Sequence, residues 1–217
     1  MHDYSIRQNG PSRSFPEGDA FLTGASEDAD IVIHLGGSGG RAPGDPAKTA
    51  ILVELDTECL GVHTGEDGGR EGSNVLGFAR YRNGNDAPTN LIELVRQPAS
   101  DPAAIETAIA LFEAAGFAVV VCADQPGRII DRLVRPKYNA ALRFLDEGLA
   151  SAEAMDMTCR MGLGYPDGPI ERVERGGLAR HHDVSKAIFE MTGHLSYMPA
   201  RRAVVAKTRA GAREDGQ

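Results

Sequence analysis

The 217 residues carry 41% hydrophobic and 25% charged side chains, an ordinary globular balance with length for one large domain or two small ones. A formal charge of -8 argues against a nucleic-acid partner, which requires a basic face, and it reads as a solubility surface. There is no apolar run of ~18 residues to span a membrane and no apolar h-region of a secretory signal at the N-terminus, and Cys59, Cys122 and Cys159, lacking C-x-x-C spacing, read as free thiols of a reducing cytoplasm.

Residues 1–19 hold Pro, Gly, Ser and charge without periodicity and are expected to form an irregular arm. A β-branched run at 29–35, ending on Gly36, predicts a buried strand, and 50–55 predicts a second. Between them lies a loop too rich in Gly and Pro for a helix, and 62–72 is again loop-like. Further strands are expected at 75–81, 90–95 and 117–122. Ser100-Asp101-Pro102 opens a helix whose apolar residues Ile105, Ala108, Ile109 and Phe112 share one face, with Gly116 closing it. After Pro126-Gly127 the texture becomes helical: 128–147 with a bend near Pro136, 151–161 capped by Ser151, 170–178 and 182–192, with a polar, frayed tail from Thr208. The organisation is α/β first and all-α second, with no internal repeat.

Gly37-Ser38-Gly39-Gly40-Arg41-Ala42 fits G-x-G-x-x-A after a strand, with Asp56 ending the next one near where a ribose-binding acid would sit. Pro43, Gly44 and Pro46 leave no room for the helix whose N–H groups would hold a pyrophosphate, so the segment reads as a flexible connector. Of the histidines, His63 reads as a solvated loop residue, His34 as core-edge, and His181-His182 as capping or surface; no set of metal ligands is completed around Asp183. No nucleophile elbow, phosphate loop or zinc-ligand cysteine pair is read from the sequence. The residues alone lead to an α/β plus α protein without a convincing active site.

Three blocks in order carry a resemblance. Pro126-Gly127-Arg128-Ile129-Ile130-Asp131-Arg132-Leu133 is followed by Pro136, Asn139 and Glu147-Gly148-Leu149; then comes Met161-Gly162-Leu163-Gly164-Tyr165-Pro166-Asp167-Gly168-Pro169; then Thr192-Gly193 to Tyr197-Met198-Pro199. They resemble the C-terminal helical domain of the 3-hydroxyacyl-CoA dehydrogenases. Upstream, Asp28–Ile33, Val75–Phe78 and Leu91–Val95 resemble late strands of that family's Rossmann domain, while its first βαβ unit finds no counterpart before Asp28. The resemblance implies a truncated Rossmann-like sheet at 20–124, a helical domain at 125–207 and a polar tail at 208–217. It is that of the reduced second half of some long bacterial 3-hydroxybutyryl-CoA dehydrogenases.

Carried over residue by residue, the family's catalytic histidine position is Ala79, its orienting glutamate is Glu93, its serine falls near Thr57–Glu58 without being clearly kept, and its asparagine is Asp131. Alanine accepts no proton, and an ionised carboxylate at 131 donates no hydrogen bond to a thioester and would repel CoA phosphates. The resemblance with these changes implies a non-catalytic accessory protein that needs no cofactor. It would dimerise through its helical domain, with itself or with a catalytic dehydrogenase subunit. The alternatives are a weak or partner-dependent NAD-linked L-3-hydroxyacyl-CoA dehydrogenase, and an acyl-CoA binding module. Gly127, Gly162, Gly164 and Pro166 are expected to serve turn and helix-boundary geometry.

Overall fold

A computed structural model describes residues 3–42 and 44–214; the ends of the expected arm and tail, and Pro43 of the glycine-rich loop, lie outside the described residues. The chain divides into two units, 1–82 with 87–129, and 83–86 with 130–217.

The first unit is built on a six-stranded sheet in the order β1-β2-β3-β4-β5-β6. Its strands are β1 Tyr4–Gln8, β2 Ile31–Leu35, β3 Ala50–Glu54, β4 Val75–Arg80, β5 Leu91–Arg96 and β6 Ala118–Ala123. The first four run parallel, β5 is antiparallel to β4, and β6 is parallel to β5. Alternation sorts the side chains: Ile31, Ile33, Leu35, Leu52, Leu76, Phe78, Ile92 and Leu94 fill one core, and Ile51, Val53, Val75 and Val95 fill another. Helix α3, Pro102–Ala114, joins the first core through Ala104, Ala108, Leu111 and Phe112 and is capped by Asp101, whose side chain accepts from the Ala103 N–H.

One expectation fails here. Residues 4–8 of the supposed arm are β1, paired in parallel with β2. Five residues with a single isoleucine gave little periodic signal. Tyr4 nevertheless buries its ring against Phe21 and donates its hydroxyl to the Phe21 carbonyl. A short helix, α1 Ala20–Thr23, lies between β1 and β2, and a second, α2 Gly61–Thr64, enters the stretch 62–72 that was expected to be loop-like.

The second unit holds α4 Ile130–Asp146, α5 Ala152–Leu163, α6 Pro169–Gly176, α7 Leu178–Thr192 and α8 Arg201–Glu214. Its core joins Tyr138, Ala141, Leu142, Ile170, Val173 and Ala200, and a smaller cluster joins Val184, Ile188 and Tyr197. The polar tail expected from Thr208 is instead the second half of α8. Among the described side chains of that helix only Ala203 is buried, so its pattern gave little signal. Gly164 ends α5 in the left-handed conformation at φ 69°, as boundary geometry required, whereas Gly162 lies inside α5. Gly168 has a tighter reason: a Cβ there would fall 2.1 Å from Asp156 Cγ. The Asp156 carboxylate, buried, accepts the N–H groups of Ile170 and Glu171 at the start of α6, at 2.8 and 2.9 Å.

Candidate active site

Ala79 of β4 and Glu93 of β5 stand directly opposite one another in the antiparallel register. Both are buried. The Glu93 carboxylate accepts the Ile129 N–H at 2.9 Å and lies 3.5 Å from Arg128 Nε. Arg128 is itself buried, at 5% exposure, and has φ 48°, the left-handed region, immediately after Gly127 at φ 70°. It donates Nη2 to the Asp56 carbonyl at 2.6 Å, while Nη1 has no acceptor among the described residues. Thr57 is buried, and its carbonyl accepts the Gly127 N–H at 2.8 Å. Sequence reasoning passed over Arg128. The charged residue stood in a quoted block, and a buried carboxylate such as Glu93 requires a cation nearby.

Asp131 sits in the first turn of α4, in the second unit. Its carboxylate accepts Arg135 Nε at 2.8 Å and lies 2.7 Å from Nη2. The repulsion of phosphates expected from Asp131 is thus offset by a guanidinium one helical turn on. Arg135 Nη1 in turn lies 3.4 Å from His181 Nδ1, and His181 Nε2 lies 2.9 Å from Asn139 Oδ1. Asn139 also accepts the Ala200 N–H and donates to the Ser196 carbonyl. The surface or capping role expected for His181 is wrong: it is 1% exposed, inside α7, because the helix begins at Leu178. Burial, then the Arg135 charge and His182, lowers its pKa to about 3, so it is a neutral hydrogen-bonding residue. His182 pairs with Asp183 at 3.0 Å.

The first unit holds a second polar cluster. His63, in α2, is not solvated: its Nδ1 is 2.8 Å from Ser38 Oγ and its Nε2 is 3.2 Å from Glu58 Oε1. Burial alone would raise Glu58, but hydrogen bonds from His63 and from the backbone bring its pKa down to about 2. His34 lies at the end of β2, its Nδ1 3.2 Å from Asn9 Nδ2, with a pKa lowered by burial and by Arg7 and His63. The glycine loop that was read as a flexible connector is tied at both ends. Asn9 donates to the Gly37 carbonyl at 2.8 Å, and the Ala42 N–H donates to the His63 carbonyl at 2.9 Å. Gly36-Gly37-Ser38-Gly39-Gly40 also has G-x-S-x-G spacing after a strand, which corrects the reading that no such motif exists; no helix follows it. Among the described residues no three His, Cys, Asp or Glu side chains converge as metal ligands, and no helix is long and apolar enough to cross a membrane.

Residues 127–216 match the family model of the 3-hydroxyacyl-CoA dehydrogenase C-terminal domain. The helical unit is a 3-hydroxyacyl-CoA dehydrogenase C-terminal domain, and the chain is a relative of that family. The human mitochondrial hydroxyacyl-coenzyme A dehydrogenase is 34% identical over 102 residues, 46% of this chain and 32% of its own length. A probable 3-hydroxyacyl-CoA dehydrogenase of Caenorhabditis elegans is 34% identical over 164 residues, 71% of this chain and 53% of its own. The chain thus spans about half, or less, of the curated relatives it matches. The crystal structure of FadB2 from M. tuberculosis has the same fold, with TM-score 0.69 at 24% identity over 85% of this chain and 67% of that one.

Rossmann members of such a family hold NAD at the strand ends, where N–H groups opening a helix meet the pyrophosphate. In this relative the strand ends do not fit it. The helix after β1 has four residues and begins only at Ala20. Backbone crowds the crevice, since a Cβ built at Gly36 would lie 2.6 Å from Gly10 Cα. Buried Glu54, at the end of β3, accepts the N–H groups of Ser14 and Gly36 at 2.7 and 2.8 Å and the Ser12 hydroxyl at 2.9 Å. A carboxylate of the chain therefore occupies donors that an anion would need. The cavity beside it, about 250 Å³ and lined by Arg13, Glu54 and Asp56 among others, falls below the usual range of about 300–1,000 Å³ for a small-molecule pocket.

Proposed function

We propose that this relative of the 3-hydroxyacyl-CoA dehydrogenases is an accessory protein of acyl-CoA metabolism that does not itself transfer hydride. One observation carries the reading. Opposite Glu93, where the family resemblance puts the catalytic base, stands Ala79, and Glu93 holds Ile129 and Arg128 instead. General-base help is typically worth about 10²–10⁴-fold in rate, and alanine supplies none. The Glu54-filled donors at the strand ends agree with that loss. The helical unit supports the accessory half of the proposal: among the described residues, eleven of the fifteen large apolar side chains that stay exposed, Leu133 to Val205, belong to it. Such surfaces suit a second copy or a catalytic dehydrogenase subunit.

The test is NADH oxidation by acetoacetyl-CoA with the purified chain. No turnover is expected, alone or with added NAD. Turnover that disappears on Glu93→Gln would establish the enzyme reading in its place. Light scattering is expected to give a dimer; a monomer at every concentration, with no catalytic dehydrogenase retained on the immobilised chain, would remove the accessory role.

A further inference from the structure

We propose that Ser38, His63 and Glu58 form a nucleophilic site for acyl transfer from small carboxylic esters and thioesters, apart from Ala79, Glu93 and Asp131. The proton inventory fixes the roles. Glu58 also accepts the N–H groups of Asp56 and Thr57, at 3.0–3.2 Å. A carboxylate held ionised has only acceptors to offer, so His63 Nε2 must donate to it. In the neutral imidazole, that tautomer puts the lone pair of His63 Nδ1 toward Ser38 Oγ at 2.8 Å, which is base-to-nucleophile geometry. Ser38 Oγ also contacts the Gly40 carbonyl, a second resting place for the same hydroxyl proton.

The surroundings hold these groups in place. Asp124 fixes the start of α2 by accepting the N–H groups of Leu60 and Gly61 at 2.6 and 2.9 Å, and Asn9 and the His63 carbonyl pin the two ends of the glycine loop. The Gly39 and Gly40 N–H groups follow Ser38 in the chain and have no acceptor among the described residues, which leaves two donors open to a developing oxyanion. A groove of about 410 Å³ adjoins the far end of the loop at Arg41 and Ala42 and the end of α2 at Thr64; Glu66, Asp67 and Glu71 also line it, and Ser38, His63 and Glu58 do not.

The chemistry balances without a cofactor. Ser38 Oγ bonds to the acyl carbon while its proton passes to His63 Nδ1. The bond from that carbon to the alkoxide or thiolate breaks, and the leaving group takes the proton from His63. Water, deprotonated by the same nitrogen, then releases the acid and restores Ser38. Ser38 is the catalytic residue, His63 the base and Glu58 the positioning residue.

Hydrolysis of p-nitrophenyl acetate by the full chain, with fluorophosphonate labelling mapped by mass spectrometry, tests the proposal. Label on Ser38 is expected, and hydrolysis should fall about 100-fold or more in Ser38→Ala and His63→Ala. In Glu58→Gln, kcat should fall with KM unchanged, because the amide can hold His63 in the other tautomer. Ser38 lies in a partly exposed loop, so Ser38→Ala is expected to leave the unfolding midpoint at its wild-type value. Hydrolysis by Ser38→Ala equal to wild type, or label confined to other residues, would overturn the assignment.

Discussion

A buried carboxylate is stable where cations and N–H groups surround it, and Glu93 has both in Arg128 and Ile129. Removing the carboxylate leaves a guanidinium that is 5% exposed and already short of acceptors. Breaking one side of a buried pair typically costs about 3–5 kcal/mol. Glu93→Ala is therefore expected to lose about that much in urea unfolding, and so is Arg128→Met, which leaves the Glu93 carboxylate buried without its cation. The double variant, with both charges gone, should lose distinctly less than the sum; strictly additive losses would show that the pair is not what the carboxylate serves. At this scale the sequence was partly legible. Ala79 and Glu93 could be placed because the family resemblance carries over at Val75–Phe78 and Leu91–Val95, runs whose apolar, β-branched content also marked them as strands. Ser38, His63 and Glu58 could not. Their meeting depends on how a glycine loop folds over α2, and hydrophobic period says nothing about loops. Ser38 was hidden further by a second reading of its glycines as a dinucleotide pattern.

Elements show the same division. Helices α4 to α7 of the second unit were legible from apolar spacing and boundary residues, but α8 and the polar network inside the unit were not. His181 was misplaced because α7 begins four residues before the start inferred from His182, which turns a supposed cap into a core residue. That burial has a consequence for stability. His181 has a pKa of about 3 in the fold, against an ordinary value near 6.5, so the unfolded chain binds a proton between those values that the folded chain refuses. Stability is complete above about pH 6.5 and falls as pH drops toward 3. By linkage the loss reaches about 2 kcal/mol at pH 5 from this residue alone. Imidazole NMR should show His181 neutral, with its proton on Nε2 toward Asn139, down to pH 5; a midpoint near 6.5 would refute the linkage. Between α5 and α6 a second device is testable. Gly168→Ala puts a methyl 2.1–2.3 Å from the Asp156 carboxyl, which must then give up the Ile170 and Glu171 N–H groups. Each buried donor left unpaired costs about 1–3 kcal/mol, so a loss of at least about 2 kcal/mol is expected in thermal unfolding. An unchanged midpoint would show that α6 does not need that cap.

At the scale of the whole molecule, order of elements was the legible part: an α/β unit followed by helices, with the family likeness concentrated in the second. What escaped was β1, whose five residues join the sheet through pairing with β2 and the Tyr4–Phe21 contact rather than through any pattern of their own. The helical unit also has a surface that packing within the chain does not explain. Leu133 on α4 and Met161 on α5 are 69% and 82% exposed. Apolar area removed from water is worth roughly 25 cal/mol per Å², so side chains of this size favour association once a partner covers them. A charge at either position adds a desolvation cost to any interface that buries it, yet changes little in the free chain, where the side chain is already in water. If the helical unit mediates self-association, Leu133→Asp and Met161→Asp should shift the mass in light scattering toward the monomer at concentrations where wild type is dimeric. Their melting temperatures, measured well below the dissociation range of wild type, should match the wild-type monomer within about 2 °C. A dimer of undiminished affinity in both variants would place the contact elsewhere on the chain.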